Sequence, residues 1–176
     1  MEYERYSEWV RFAGFVIRRA TGGLPHHLQL LGIVDAELRG IRREHLLGQD
    51  GRPLEDAFGI LMHERIIIQA HLWVLGVYEF IRMLDERLRD NPALATDASI
   101  AMITATKRQF SRLRVPLAKL EPESRHAKED LVVPLPGMGP AGIAWQLNPD
   151  LMVYQEDLSD VLMDMLIALR PRQIEP

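Results

Sequence analysis

No proline interrupts the chain between Pro53 and Pro92, and the residues between them are apolar in nearly every helical direction. The stretch predicts one long helix over residues 54–89, because an apolar run of that length without a breaker and without strict alternation reads as helix. The turn Gly51-Arg52-Pro53 marks its start, and Glu55 and Asp56 follow where the helix dipole favours negative charge. Its end falls at Asp90-Asn91-Pro92, since a residue before proline is pushed out of the helical region. Between Ile66 and Ile81 only Gln69, His71 and Glu79 are strongly polar. At about 100° per residue, Phe58, Leu61, Ile68, Leu72, Leu75 and Met83 share one face, and Met62, Ile66, Trp73, Phe80 and Leu84 share another. Two apolar faces call for at least two covering layers. One narrow polar seam crosses this girdle: Glu64, His71, Tyr78 and Arg82, at spacings of seven, seven and four.

A chain of 176 residues suits a single domain, residues 1–176, with a substantial core. Its 47% apolar and 26% charged residues are the proportions of a soluble globular protein. The girdle is short for a membrane span and carries Gln, His and Glu, which argues against a membrane role. The opening residues MEYERYSEW lack a positive region followed by an apolar one, so cytoplasm is the expected compartment. With no cysteine, disulfides, thiol catalysis and thiolate metal sites are excluded. A net charge of -4 disfavours a surface that tracks nucleic acid everywhere, though not a local basic patch.

Residues 2–20 read as an amphipathic helix with Tyr6, Trp9, Val10, Ala13, Val16, Ile17 and Ala20 on one stripe. Phe12 and Phe15 lie outside it and widen the buried face; Thr21-Gly22-Gly23-Leu24-Pro25 stops the helix. A second helix is expected over residues 27–47, with Leu30, Leu31, Val34, Leu38 and Ile41 inward and His45 on the same stripe. Thr96 or Asp97 can cap a helix reaching about residue 120, with Met102, Ile103, Phe110, Leu113, Leu117 and Leu120 as its core stripe. The short connection makes it the antiparallel neighbour of the long helix. Pro116 lies inside it and removes an amide, which predicts a kink or break. Residues 121–130 form a mixed-charge, exposed connection, and residues 131–155 a Pro/Gly-rich loop followed by a small strand pair turning at Asn148-Pro149-Asp150. Trp145 is the expected anchor of that hairpin on the helices, and residues 155–170 are a terminal helix with an acidic start.

Glu64, His71, Tyr78 and Arg82 supply an acid, an imidazole, a phenol and a guanidinium, the groups of proton transfer and anion stabilisation. A spacing of seven separates neighbours by roughly 10 Å, too far for a direct hydrogen bond, so catalysis there needs partners from other elements. His45 is the other candidate imidazole, near a helix C-terminus where the dipole also accommodates it. No metal is expected: HExxH is absent and Glu123 to His126 supplies a single Glu-x-x-His where a di-iron bundle needs two, with the adjacent His26 and His27 as the other possible contributors. No phosphate-binding glycine loop and no G-x-S-x-G occurs, and no cofactor is implied. Arg108, Arg112 and Lys119 make a basic face on the helix over residues 97–120. Three stretches, Arg19 to His26, Arg39 to His45 and Arg65 to His71, carry an Arg-x(4–6)-His spacing and compete for one role. With long antiparallel helices, that spacing resembles the HEPN-type ribonucleases. The resemblance implies an RNA-binding or RNA-cleaving protein, with His71 or His45 as its histidine and the basic face as a phosphate track.

The fold expected is mainly α: a helical bundle around the long central helix (about 54–89) and its antiparallel neighbour (about 97–120), with a small C-terminal β-hairpin and a terminal helix. The favoured function is a non-enzymatic protein–protein interaction module, homo-oligomeric or bound to a protein partner, because a helix apolar all round needs more cover than its neighbours supply. The HEPN-like RNA function is the alternative.

Overall fold

The computed structural model describes residues 3–17, 24–41, 57–90, 96–139 and 141–169. The chain is mainly helical, in the order α1 (Tyr3–Ile17), α2 (Leu24–Arg39), α3 (Ala57–Asp90), α4 (Asp97–Lys119), a short 3-10 turn (Ser124–His126), β1 (Leu135–Gly139), β2 (Gly142–Asn148), β3 (Leu151–Tyr154) and α5 (Gln155–Ala168). The expected long helix is helical at every described position from Ala57 to Asp90, and its expected start at residues 54–56 and stop at Asn91-Pro92 lie outside the described residues. The second helix begins earlier than expected, because Pro25 sits in its first turn, where a proline's missing amide costs nothing. It ends at Arg39, and the expected continuation to residue 47, including His45, lies outside the described residues.

α3 and α4 are antiparallel, as three cross-links show: Arg89 reaches Thr104, Asp85 takes Lys107, and Glu79 faces Arg114, with one numbering falling as the other rises. Thr96 caps α4 by accepting from the Ser99 amide, and Leu120 closes it in the left-handed conformation. Pro116 does not break the helix, which continues to Lys119 with Pro116 buried and the Leu120 amide bonded to the Pro116 carbonyl. α1 and α2 also pair, and Gly32 is what lets them close: a Cβ there would overlap Trp9 Cβ and Cγ. Gly76 serves the α2–α3 contact in the same way, against Leu31.

The strand pair expected at the C-terminal end is a three-stranded antiparallel sheet, order β1-β2-β3. β1 was hidden by Pro136 and two glycines; it is tolerated because an edge strand needs only half its amides in the ladder. Gly142, at φ +91°, makes the turn between β1 and β2. Ile143, Trp145 and Leu147 alternate on the side that faces the helices and are buried. Trp145 joins Trp9, Trp73, Phe80 and Phe110 in one continuous core. Phe12 is buried too, so it does widen the inner face of α1.

A polar hub fastens this core. Asp35, on α2, is fully buried and accepts from Trp9 Nε1 at 2.8 Å, Arg5 Nε at 3.1 Å and Gln155 Nε2 at 2.8 Å. Arg5 and Arg39 both reach Asp160, and Arg39 also pairs with Glu156. Helices α1, α2 and α5 therefore meet on one buried carboxylate that accepts three hydrogen bonds, two at Oδ2 and one at Oδ1. A second clasp holds the segment before the sheet. Arg112 donates twice to Asp130, at 2.8 and 2.7 Å, and Asn148 donates to the same carboxylate at 3.0 Å. The mixed-charge connection is thus exposed over much of its length but fixed at its end, where the Asp130 side chain is buried.

Candidate functional site

The long helix is covered on one side. Ile66, Trp73, Phe80 and Leu84 are buried, as the second of the two expected apolar faces requires. The first face is covered only in part: Met83 packs against the core and Leu75 is half-buried, but Leu61 is 65% exposed, Ile68 55% and Leu72 62%, and Ile60 beside them is 55% exposed, while the Phe58 side chain lies outside the described residues. The expectation was that a helix apolar all round needs more cover than its neighbouring segments supply, and these exposures are where the described segments leave it open. α2 and α4 pack on the inner side of α3, and no other described element packs along the outer one. The result is an apolar stripe at spacings of seven and four, flanked by exposed Glu64 and Arg65 near one end and by Glu79, Arg82 and Glu86 toward the other.

The four seam residues go to four different environments. Glu64 is exposed. His71 is half-buried and stacks on Trp145, with centroids 5.8 Å apart and planes at 29°; burial holds its pKa below the ordinary imidazole value. Its Nε2 and the indole nitrogen of Trp145 are buried without a hydrogen-bond partner among the described residues. Tyr78 lies under the Arg114 guanidinium, 5.0 Å from ring centre to carbon, a cation–π contact. Arg82 is clamped between Glu79 at 2.7 Å and Glu86 at 2.6 Å, and those hydrogen bonds raise its pKa further. Glu64, His71 and Tyr78, seven residues apart, are too far apart along the axis to touch, and Arg82, one turn from Tyr78, is bonded to Glu79 and Glu86.

The basic face of α4 is divided as well. Arg112 is held by Asp130, which raises the guanidinium's pKa and lowers the carboxyl's. Lys119 sits 3.6 Å from Glu121. Arg108 instead lines a cleft of about 330 Å³ between α3, α4 and the 3-10 turn, with Lys107, Arg89, Arg125 and His126. Asp85 on its wall takes Lys107 and Arg89, each at 2.8 Å; burial pushes its pKa up, but the two cations outweigh that and hold it below the ordinary value. Arg65 and His71, the one Arg-to-His stretch wholly within the described residues, diverge: Arg65 faces outward while His71 turns toward the sheet.

Two features were missed in the sequence. The exposed stripe was visible as one of two apolar faces needing cover, but which of the two the chain's own helices would fill was not. The hub around Asp35 joins residues 30 and 120 positions apart, a separation with no local signature. Among the described residues no group of three or more His, Asp or Glu side chains is arranged to hold a metal ion. No protein-family model, curated protein or solved structure matches the chain.

Proposed function

We propose that this chain is a non-enzymatic helical interaction module of the cytoplasm, and that it works by docking another protein, a second copy of itself included, on the outer face of α3. The exposed stripe Ile60, Leu61, Ile68 and Leu72 carries this reading, since contiguous apolar surface rimmed by charge marks docking sites. Length and composition alone would let residues 59–90 cross a membrane. Against that role, the opposite face is packed into the bundle core and the C-terminal half of α3 carries Glu79, Arg82, Asp85 and Glu86. The test is molar mass in solution by light scattering. Wild-type protein is expected to assemble, and Leu72→Asp or Ile68→Asp to return it to monomer with an unchanged circular dichroism spectrum. A wild-type protein monomeric at high concentration, with no partner lost on Leu72→Asp, defeats the proposal.

One observation favours a second reading. Arg108 and Arg125 form no ion pair with a described residue and stand in one cleft beside Lys107, with Thr104 and Ser111 supplying hydroxyl groups. That is chemistry for a phosphate group, and it is the part of the RNA alternative that remains. It predicts RNA binding that weakens steeply with salt and is lost in Arg108→Ala/Arg125→Ala. No binding at low salt would remove it.

A further inference from the structure

Resting on the reading of the outer face as a docking surface, we propose that its occupant is a second copy of this chain, packed antiparallel on α3 about a two-fold axis at Leu72. Residues seven positions apart lie on nearly the same side of a helix, displaced by roughly 10 Å. Leu72 has Arg65 seven residues before it and Glu79 seven residues after it, both exposed and both on the stripe. A two-fold axis at Leu72 therefore lays Arg65 of each copy against Glu79 of the other, twice, while Leu72 meets its own equivalent and Ile68 meets Leu75 beside it.

The flank gives the same answer independently. Glu64 and Arg82 project from the same side of the stripe, at eight residues before Leu72 and ten after it. In an antiparallel pair related by that axis, like flanks meet, so Glu64 of one copy lies within a turn of Arg82 of the other. The rule that emerges is simple: the charges before Leu72, Glu64 and Arg65, are the opposites of those they meet after it. A parallel pair does the reverse. It sets Arg65 against Arg65 and Glu79 against Glu79, which repels at both ends of the apolar stripe. Shifting the antiparallel pair toward the N-terminus, to centre on Ile68, lays Leu72 against Glu64. Of these three arrangements, charge and apolar surface agree in the register centred on Leu72.

The chain contains no cysteine, so single introduced thiols report the geometry. Leu72→Cys stands on the axis and is expected to form an interchain disulfide under mild oxidation, whereas Leu61→Cys, roughly 33 Å from its own equivalent in this arrangement, is not. Charge exchange gives the second arm. Arg65→Glu and Glu79→Arg are each expected to weaken self-association about ten-fold or more, and an equimolar mixture of the two to restore it, because each repelling pair becomes an attracting one. Crosslinking of Leu61→Cys as readily as Leu72→Cys means a parallel pair and overturns the proposal. Assembly that Leu72→Asp abolishes but charge exchange leaves untouched overturns this register while keeping the docking surface. A monomeric wild type overturns the self-pairing; if in addition no protein partner is lost on Leu72→Asp, the docking surface falls too, and flotation of that protein with vesicles of neutral and anionic lipid would then assign the stripe to a lipid surface.

Discussion

Asp35 concentrates more of this fold's specificity than any apolar side chain. It is buried and accepts from three side chains, of which the Trp9 indole and the Gln155 amide bond it in the interior. Asp35→Ala strands the Trp9 indole N–H and the Gln155 amide and leaves Arg5 with Ser159 and Asp160, and is expected to cost about 3–5 kcal/mol in urea denaturation. A loss below about 1 kcal/mol would mean the hub is not under load. Gly32→Ala tests the neighbouring contact: its methyl group would overlap a tryptophan that cannot retreat from the core, and a loss of roughly 1–3 kcal/mol is expected. His71 gives a pH signature. Burial lowers its folded pKa below the ordinary 6.5, so the unfolded chain binds the proton more readily and stability falls as pH drops below about that value. His71→Gln cannot take up the proton, and its stability should be flatter between pH 7 and 5 than the wild type's; an identical slope would show that His71 does not report this burial.

At the scale of elements, what was legible was what is local. The proline-free run from Pro53 to Pro92 gave α3, the Thr96 cap gave the start of α4, and the acidic start with apolar spacing gave α5. What failed was local chemistry overruled by neighbours. Pro116 was expected to kink or break α4, and it breaks nothing, lying buried within a continuous helix; the Pro/Gly-rich segment around Pro136, read as a loop that allowed some extended chain, is an edge strand. The connection over residues 121–130 looked like a solvated charge run because nothing in it announces that Asp130 is reserved for Arg112 and Asn148. That clasp has a definite pH dependence. The Arg112 hydrogen bonds hold the Asp130 pKa below the ordinary 3.8, so its contribution is complete above that value and is lost as pH falls through the lowered one. Asp130→Asn should cost about 2–3 kcal/mol at pH 7 and shed part of the acid sensitivity below pH 4. Equal acid sensitivity in the variant would show that Asp130 stays exposed and unpaired.

For the molecule as a whole, the decisive question is why α3 is apolar on a side that the described elements leave exposed. Spacing alone could not answer it, because Leu61, Ile68 and Leu72 repeat at the interval of a core stripe, and only the positions of α2 and α4 show which side of α3 the described helices cover. If a second copy supplies the cover, folding and association are linked, and stability depends on how much protein is present. The melting temperature should then rise by about 2 °C for each ten-fold increase in concentration, a dependence absent for a protein that melts as a monomer. Leu72→Asp separates the two cases: it should abolish the concentration dependence and, at high dilution where the wild type is itself monomeric, melt at nearly the wild-type temperature. The apolar stripe holds the pair while charges at its ends select the antiparallel register, so added salt should loosen self-association modestly rather than dissolve it. A dimer that dissociates completely in moderate salt would place the binding energy in the rim charges and not in the stripe.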